Sequence, residues 1–122
     1  MPITVTTMTT TVPVDRDVNA TSLWSLNATS ADASGSEDIK ATPGAGYHLV
    51  ITRATILIGA AITVTLLADA DVLVGPVGGA AGTYALDFSE RPVVLDANHK
   101  LACDASGAGA ICIYVEGYTK AV

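Results

Sequence analysis

The sequence predicts an all-β fold, an antiparallel β-sandwich preceded by an extended N-terminal arm. Three observations carry this. Valine, isoleucine, leucine and threonine dominate Tyr47–Val77, and β-branched side chains lose rotamer freedom in a helix but sit well on a pleated surface. Within that stretch Ile62, Val64 and Leu66 alternate with Thr63, Thr65 and Leu67, the period of a strand with one buried face. Along the rest of the chain, short apolar runs are separated by turn-forming residues every eight to twelve positions or so, the spacing of a sandwich or barrel.

Composition sets the outer bounds. The 122 residues suit one domain that buries roughly two thirds of its unfolded surface. Half of the residues are hydrophobic and only 15% are charged, against about 25% in an average soluble domain. So little charge leaves apolar surface for contact with another chain. The net charge of −6 argues against nucleic-acid binding, which needs a basic surface to displace counterions. A membrane helix is not expected either. The central uncharged stretch, Ala54 to Ala68, has 15 residues interrupted by Gly59, short of the roughly 20 that span a bilayer. The first residues, MPITVTTMTTT, lack the basic and apolar regions of a secretory signal, so folding in a reducing cytoplasm is expected.

The predicted division is an arm over residues 1–17 and a single sandwich domain over 18–122. In the arm, Ile3, Val5, Val12 and Val14 are apolar points in a threonine-rich segment bounded by Pro2 and Pro13. It reads as an extended arm or an edge strand, since Pro13 would interrupt a central ladder, with a disordered tail as the alternative. These four side chains are the candidate partner contacts, docked on a neighbour by strand addition or in a groove between subunits. From Val18 to Leu26 alternation puts Val18, Ala20, Ser22, Trp24 and Leu26 on one side of a strand, with Trp24 as a core anchor.

Ser30 to Gly46 is rich in Ser, Asp, Gly and Pro and reads as loop, with Ile39 marking a short strand within it. Asn19-Ala20-Thr21 and Asn27-Ala28-Thr29 match the glycosylation pattern but, without a secretion signal, read as chance. Gly75 to Gly82 contains four glycines and reads as a flexible connection, because a phosphate-binding loop would add Gly-Lys-Ser/Thr and a helix. Tyr84, Leu86 and Phe88 face one way in a further strand, Val93–Leu95 forms a short one, and Asp96-Ala97-Asn98 is a turn. Leu101–Cys103 and Ile111–Tyr118 form the last pair, joined by a loop over 104–109.

No residue set reads as catalytic or as a metal site, and no cofactor is expected. His48 and His99 have no Cys, His or Glu at ligand spacing. Asp69 and Asp71 lack the further oxygen ligands of a calcium loop and suit a hairpin turn. No serine lies in a Gly-x-Ser-x-Gly elbow. Asp87, Glu90, Asp96, Asp104 and Glu116 fall at strand ends or outward positions. If Leu101, Cys103, Ile111, Ile113 and Val115 face the core, Cys112 faces the other way, and a disulfide, which needs Cβ atoms about 3.5–4.5 Å apart, is not expected. In His48–Ile58, straight alternation puts Val50, Ile56 and Ile58 on one side and Leu49, Ile51 and Leu57 on the other. That two-sided hydrophobicity implies a second buried surface, which a closed cyclic oligomer satisfies.

The order of Gly46-Tyr47-His48-Leu49, the Thr63–Leu67 strand, Val74-Gly75-Pro76-Val77, Leu86-Asp87-Phe88, Pro92-Val93-Val94-Leu95, Ala97-Asn98 and the closing Ile113-Tyr114-Val115-Glu116-Gly117-Tyr118 resembles the small jelly-roll structural proteins of tailed bacteriophages that decorate or cement capsids or form head fibres. The resemblance spans about residues 45–120 and rests on order and spacing. It implies a jelly-roll-like sandwich, a homotrimer, a place in the virion after assembly in the host cytoplasm, and attachment to the major capsid protein or another virion protein through the N-terminal segment. It implies no catalytic residue. The alternative reading is a carbohydrate- or receptor-binding module of a phage tail or adhesin, since one fold hosts many functions.

Overall fold

A computed structural model describes residues 3–10 and 20–121. Among them every regular element is a strand: β1 (Thr4–Thr10), β2 (Ala20–Lys40), β3 (Tyr47–Ile58), β4 (Thr63–Ala68), β5 (Asp71–Gly78), β6 (Gly82–Asp87), β7 (Val93–Val94) and β8 (Leu101–Ala121). All pairings are antiparallel and belong to one open sheet ordered β1-β2-β8-β3-β6, with β7 also on β3. The sheet branches at β8: residues 111–121 pair with β3, whereas Leu101–Ala105 pair with β4, which carries β5.

The all-β reading holds, but the strands are not all short. β2 continues through the segment read as loop, and β8 is one strand where two with a loop between them were expected. They pair with each other nearly end to end, from Ala20 opposite Lys120 to Lys40 opposite Leu101. The loop-like composition is the corner of this ribbon. From Ala33 to Gly35 β2 advances two residues while β8 runs back four, from Gly109 to Ala105. Such a mismatch bends a strand pair and increases its twist. Gly109 sits at the corner because a β-carbon there would lie 2.8 Å from the Ala60 Cβ and 3.1 Å from the Ile62 Cδ1.

The bend brings the ends of β2 together. Sixteen residues of straight strand would separate Trp24 from Lys40 by roughly 50 Å, yet the Lys40 Nζ lies 4.7 Å from the centroid of the Trp24 ring. Both branches of the sheet therefore close on one core. Trp24, Leu26, Ala28, Ala54, Ile56, Ile58, Ile111, Ile113 and Val115 come from one branch, and Ile39, Val64, Leu66, Leu101 and Cys103 from the other. Trp24 is 4% exposed, the core anchor that its alternation predicts. Tyr84, Leu86 and Phe88 pack together at the rim of the core.

A second correction concerns β3. The β3–β8 register slips between Ile51 and Arg53, where one extra residue, Thr52, is accommodated. A bulge reverses the alternation. Leu49 and Ile51 before it and Ala54, Ile56 and Ile58 after it therefore all enter the same core, which straight alternation had put on opposite sides. The Thr52 hydroxyl donates to the Glu116 carbonyl at 3.1 Å and pins the bulge. The glycine-rich connection before β6 is also shorter than expected, since Gly75, Pro76 and Gly78 belong to β5. Asp69 and Ala70 form the turn between β4 and β5, with Asp69 in the left-handed region at φ 52°.

Candidate interaction face

Because Trp24, Leu26, Ile113, Val115, Ala54 and Ile56 point inward, the residues between them build the opposite face of β1, β2, β8, β3 and β6. Cross-strand register aligns them in rows. Thr4, Thr29, Cys112, Leu57 and Thr83 form one row, and Thr6, Asn27, Tyr114, Thr55 and Ala85 the next. Ser25, Glu116, Arg53 and Asp87 form the third. Five strands at about 4.8 Å and three rows two residues apart make a surface of roughly 19 by 14 Å.

Two of the three rows carry no charge. Leu57 is 43% and Tyr114 36% exposed, and threonines with one alanine and one asparagine fill most of the remaining positions. The Cys112 thiol donates to the Asn27 Oδ1 at 3.0 Å across the β2–β8 pair. At the rim, Leu57, Ile58, Gly59, Gly82, Thr83, Ala110, Ile111 and Cys112 line an apolar depression of about 390 Å³. Charge is confined to the third row, where the Arg53 guanidinium stands 3.9 Å from the Glu116 carboxylate, both well exposed. Such a pair contributes about 0–1 kcal/mol. The Ser89 N–H donates to the Asp87 Oδ1 at 2.9 Å, and this bond, aided by Arg53, holds the Asp87 carboxyl below its ordinary range.

Of the candidate contact residues in the arm, Ile3 and Val5 pack half-buried against the core of their own chain. Thr4–Thr10 pair with Leu23–Thr29, so the described part of the arm is an edge strand of its own sheet. Val12 and Val14 lie outside the described residues. The face around Tyr114 and Leu57 was not singled out in the sequence. Alternation in Ile111–Tyr118 points to Cys112 and Tyr114, but the bulge at Thr52 concealed that Thr55 and Leu57 stand beside them.

The histidines and the remaining ion pairs lie away from this face. His48 Nδ1 is 2.7 Å from the Leu95 carbonyl. At one end of the molecule the His99 Nε2 lies 3.4 Å from the Asp69 Oδ2, and Lys100 pairs with Asp38 at 3.0 Å. Asp69 also accepts the Lys100 N–H at 3.2 Å through Oδ1, and so ties the β4–β5 turn to the start of β8. Both cysteines are free thiols, Cys103 in the core and Cys112 on the outer face. No protein-family model matches the chain, and no curated protein matches it.

Proposed function

We propose that the chain is a non-enzymatic structural protein of a virion, a decoration or cement protein that assembles as a homotrimer on the outside of the capsid with the major capsid protein as partner. The observation that carries this reading is the outer face of the sheet, whose two uncharged rows include the exposed Tyr114 and Leu57. Depletion of charge with an exposed aromatic at the centre is the composition of an interface core. The jelly-roll-like sandwich is part of the same proposal. It is supported by the bent β2–β8 ribbon, which folds both branches of the sheet over one core. Trp24, the strongest stacking side chain for a sugar, is buried, which favours the capsid reading over a carbohydrate-binding module.

The test is localisation. Gold-labelled antibody against the chain, applied to purified virions, is expected to mark the capsid shell evenly. Label confined to tail tips, or no label on particles, overturns the proposal. Tyr114→Glu, which introduces a charge at the centre of the face, is expected to leave the circular dichroism unchanged and to abolish binding to capsids stripped of the protein.

A further inference from the structure

Four strands pair with a single neighbour among the described residues: β1, β5, β6 and the two-residue β7. Exposed strand edges invite pairing with other chains, and natural proteins blunt them with charge, proline or bulges. β5 is blunted in this way, since it carries Asp71 and Pro76 and its pairing with β4 is interrupted twice. β7 is too short to template a further strand, whereas β1 and β6 are not blunted. β1, TVTTMTT, has neither charge nor proline, and β6, GTYALD, has one charge at its last residue.

These two edges are the opposite ends of the same sheet, with nearly equal lengths of seven and six residues. Each also leaves apolar side chains half-covered on the core side, Val5 on β1 and Tyr84 and Leu86 on β6. We propose that β1 of one copy pairs with β6 of a second copy, head to tail, so that the sheets of successive copies join and a ring of three closes. This rests on the reading of the chain as an assembling protein and names the surfaces that assemble it. One junction satisfies both edges at once, and a closed ring leaves neither exposed.

The area argument also favours a ring. A six-residue strand pair alone is well below the roughly 20–30 residues a side of a stable interface. In a ring each copy is held at both edges, and the depression of about 390 Å³ beside Gly82 and Thr83 extends the β6 side of the contact.

Thr6 on β1 and Ala85 on β6 are both exposed and report the junction. In a Cys112→Ser background, chains carrying Thr6→Cys are mixed with chains carrying Ala85→Cys and treated with a bismaleimide. Intact mass measurement is expected to show mixed dimers in excess of either homodimer, and a chain with both substitutions is expected to give covalent trimers. Ala85→Lys is expected to cause loss of the trimer in light scattering with an unchanged strand signal in circular dichroism. A trimer in light scattering that yields only like-with-like cross-links overturns this inference and leaves the assembly reading standing. A monomer at micromolar concentration overturns both.

Discussion

Trp24 and Gly117 are directly opposed in the β2–β8 ladder, and the indole occupies the space that a side chain at 117 would need. A β-carbon on Gly117 would lie 3.0 Å from both the Cη2 and the Cζ2 of Trp24 and would also collide with the Val50 carbonyl of β3. The tryptophan covers a backbone that would otherwise be bare, and the glycine gives the ring its seat.

This pair predicts a coupled mutational response. Trp24→Ala should cost about 3–5 kcal/mol, the range for a buried aromatic, and Gly117→Ala more than the roughly 1–3 kcal/mol of ordinary overpacking, because the β3 backbone at Val50 must also shift. The double variant should lose less than the sum, because removing the indole relieves part of the clash, while contact with the Val50 carbonyl persists. Urea denaturation of the four proteins measures the coupling; strictly additive losses would show that the ring and the glycine act independently.

The bulge on β3 predicts that Thr52 cannot be removed. Deleting it restores plain alternation and forces either Leu49 and Ile51 or Ala54, Ile56 and Ile58 out of the core. The expected outcome is loss of cooperative unfolding. Thr52→Val keeps the bulge and removes only the bond to the Glu116 carbonyl, so it should cost about 0.5–1.5 kcal/mol.

His99 predicts a pH dependence of stability. Its Nδ1 lies 3.0 Å from the Ala97 carbonyl, and this bond, with Asp69, Asp96 and Asp71 nearby, raises the imidazole above its ordinary value of 6.5 against a smaller opposing effect of burial. Protonation puts a second N–H on Nε2, facing the Asp69 carboxylate. Because the folded value is the higher one, the stabilisation is complete below about pH 6.5 and disappears as pH rises through the folded value. Relative to wild type, His99→Gln should be less stable at pH 5.5 and equally stable at pH 9, as read from urea midpoints.

The cysteines should differ sharply in reactivity. Burial, with Glu37 and Asp104 adding to it, pushes the Cys103 thiol up to about 11, and the thiolate is the reactive form. Cys112 is on the outer face. A thiol reagent at pH 8 should therefore modify one thiol quickly in the native protein and the second only on unfolding, and Cys112→Ser should abolish the fast phase. Rapid labelling of Cys103 in the folded chain would contradict the packing described for β8.

Much of the fold was legible in the residues. Alternation around Trp24, along Thr63–Leu67 and along Ile111–Tyr118 identifies strands and their buried faces, and the opposite orientation of Cys103 and Cys112 follows from it. Ser30–Lys40 was not legible, because its Ser, Asp and Gly content is that of a loop. It is extended because β8 lies beside it, a tertiary effect that propensity does not record. The bulge at Thr52 carries no glycine to announce it, and without it the faces of β3 cannot be assigned. The outer face depended on that assignment, so Thr55 and Leu57 could not be grouped with Tyr114 in advance.

The long ribbon also fixes an order of events during synthesis. Ala20 pairs with Lys120 and Trp24 with Gly117, so the central ladder of the sheet joins residues about a hundred positions apart. At roughly 5–20 residues per second, β2 is translated about 5–20 s before the strand that must lie beside it. For that interval Leu26 and Trp24 have no β8 to cover them, and the threonine-rich β1 next to them is the neighbour already made. Folding of the sheet is therefore gated by translation of β8, and the nascent chain passes through a period in which its most apolar early strand can be held only by β1 or by a chaperone.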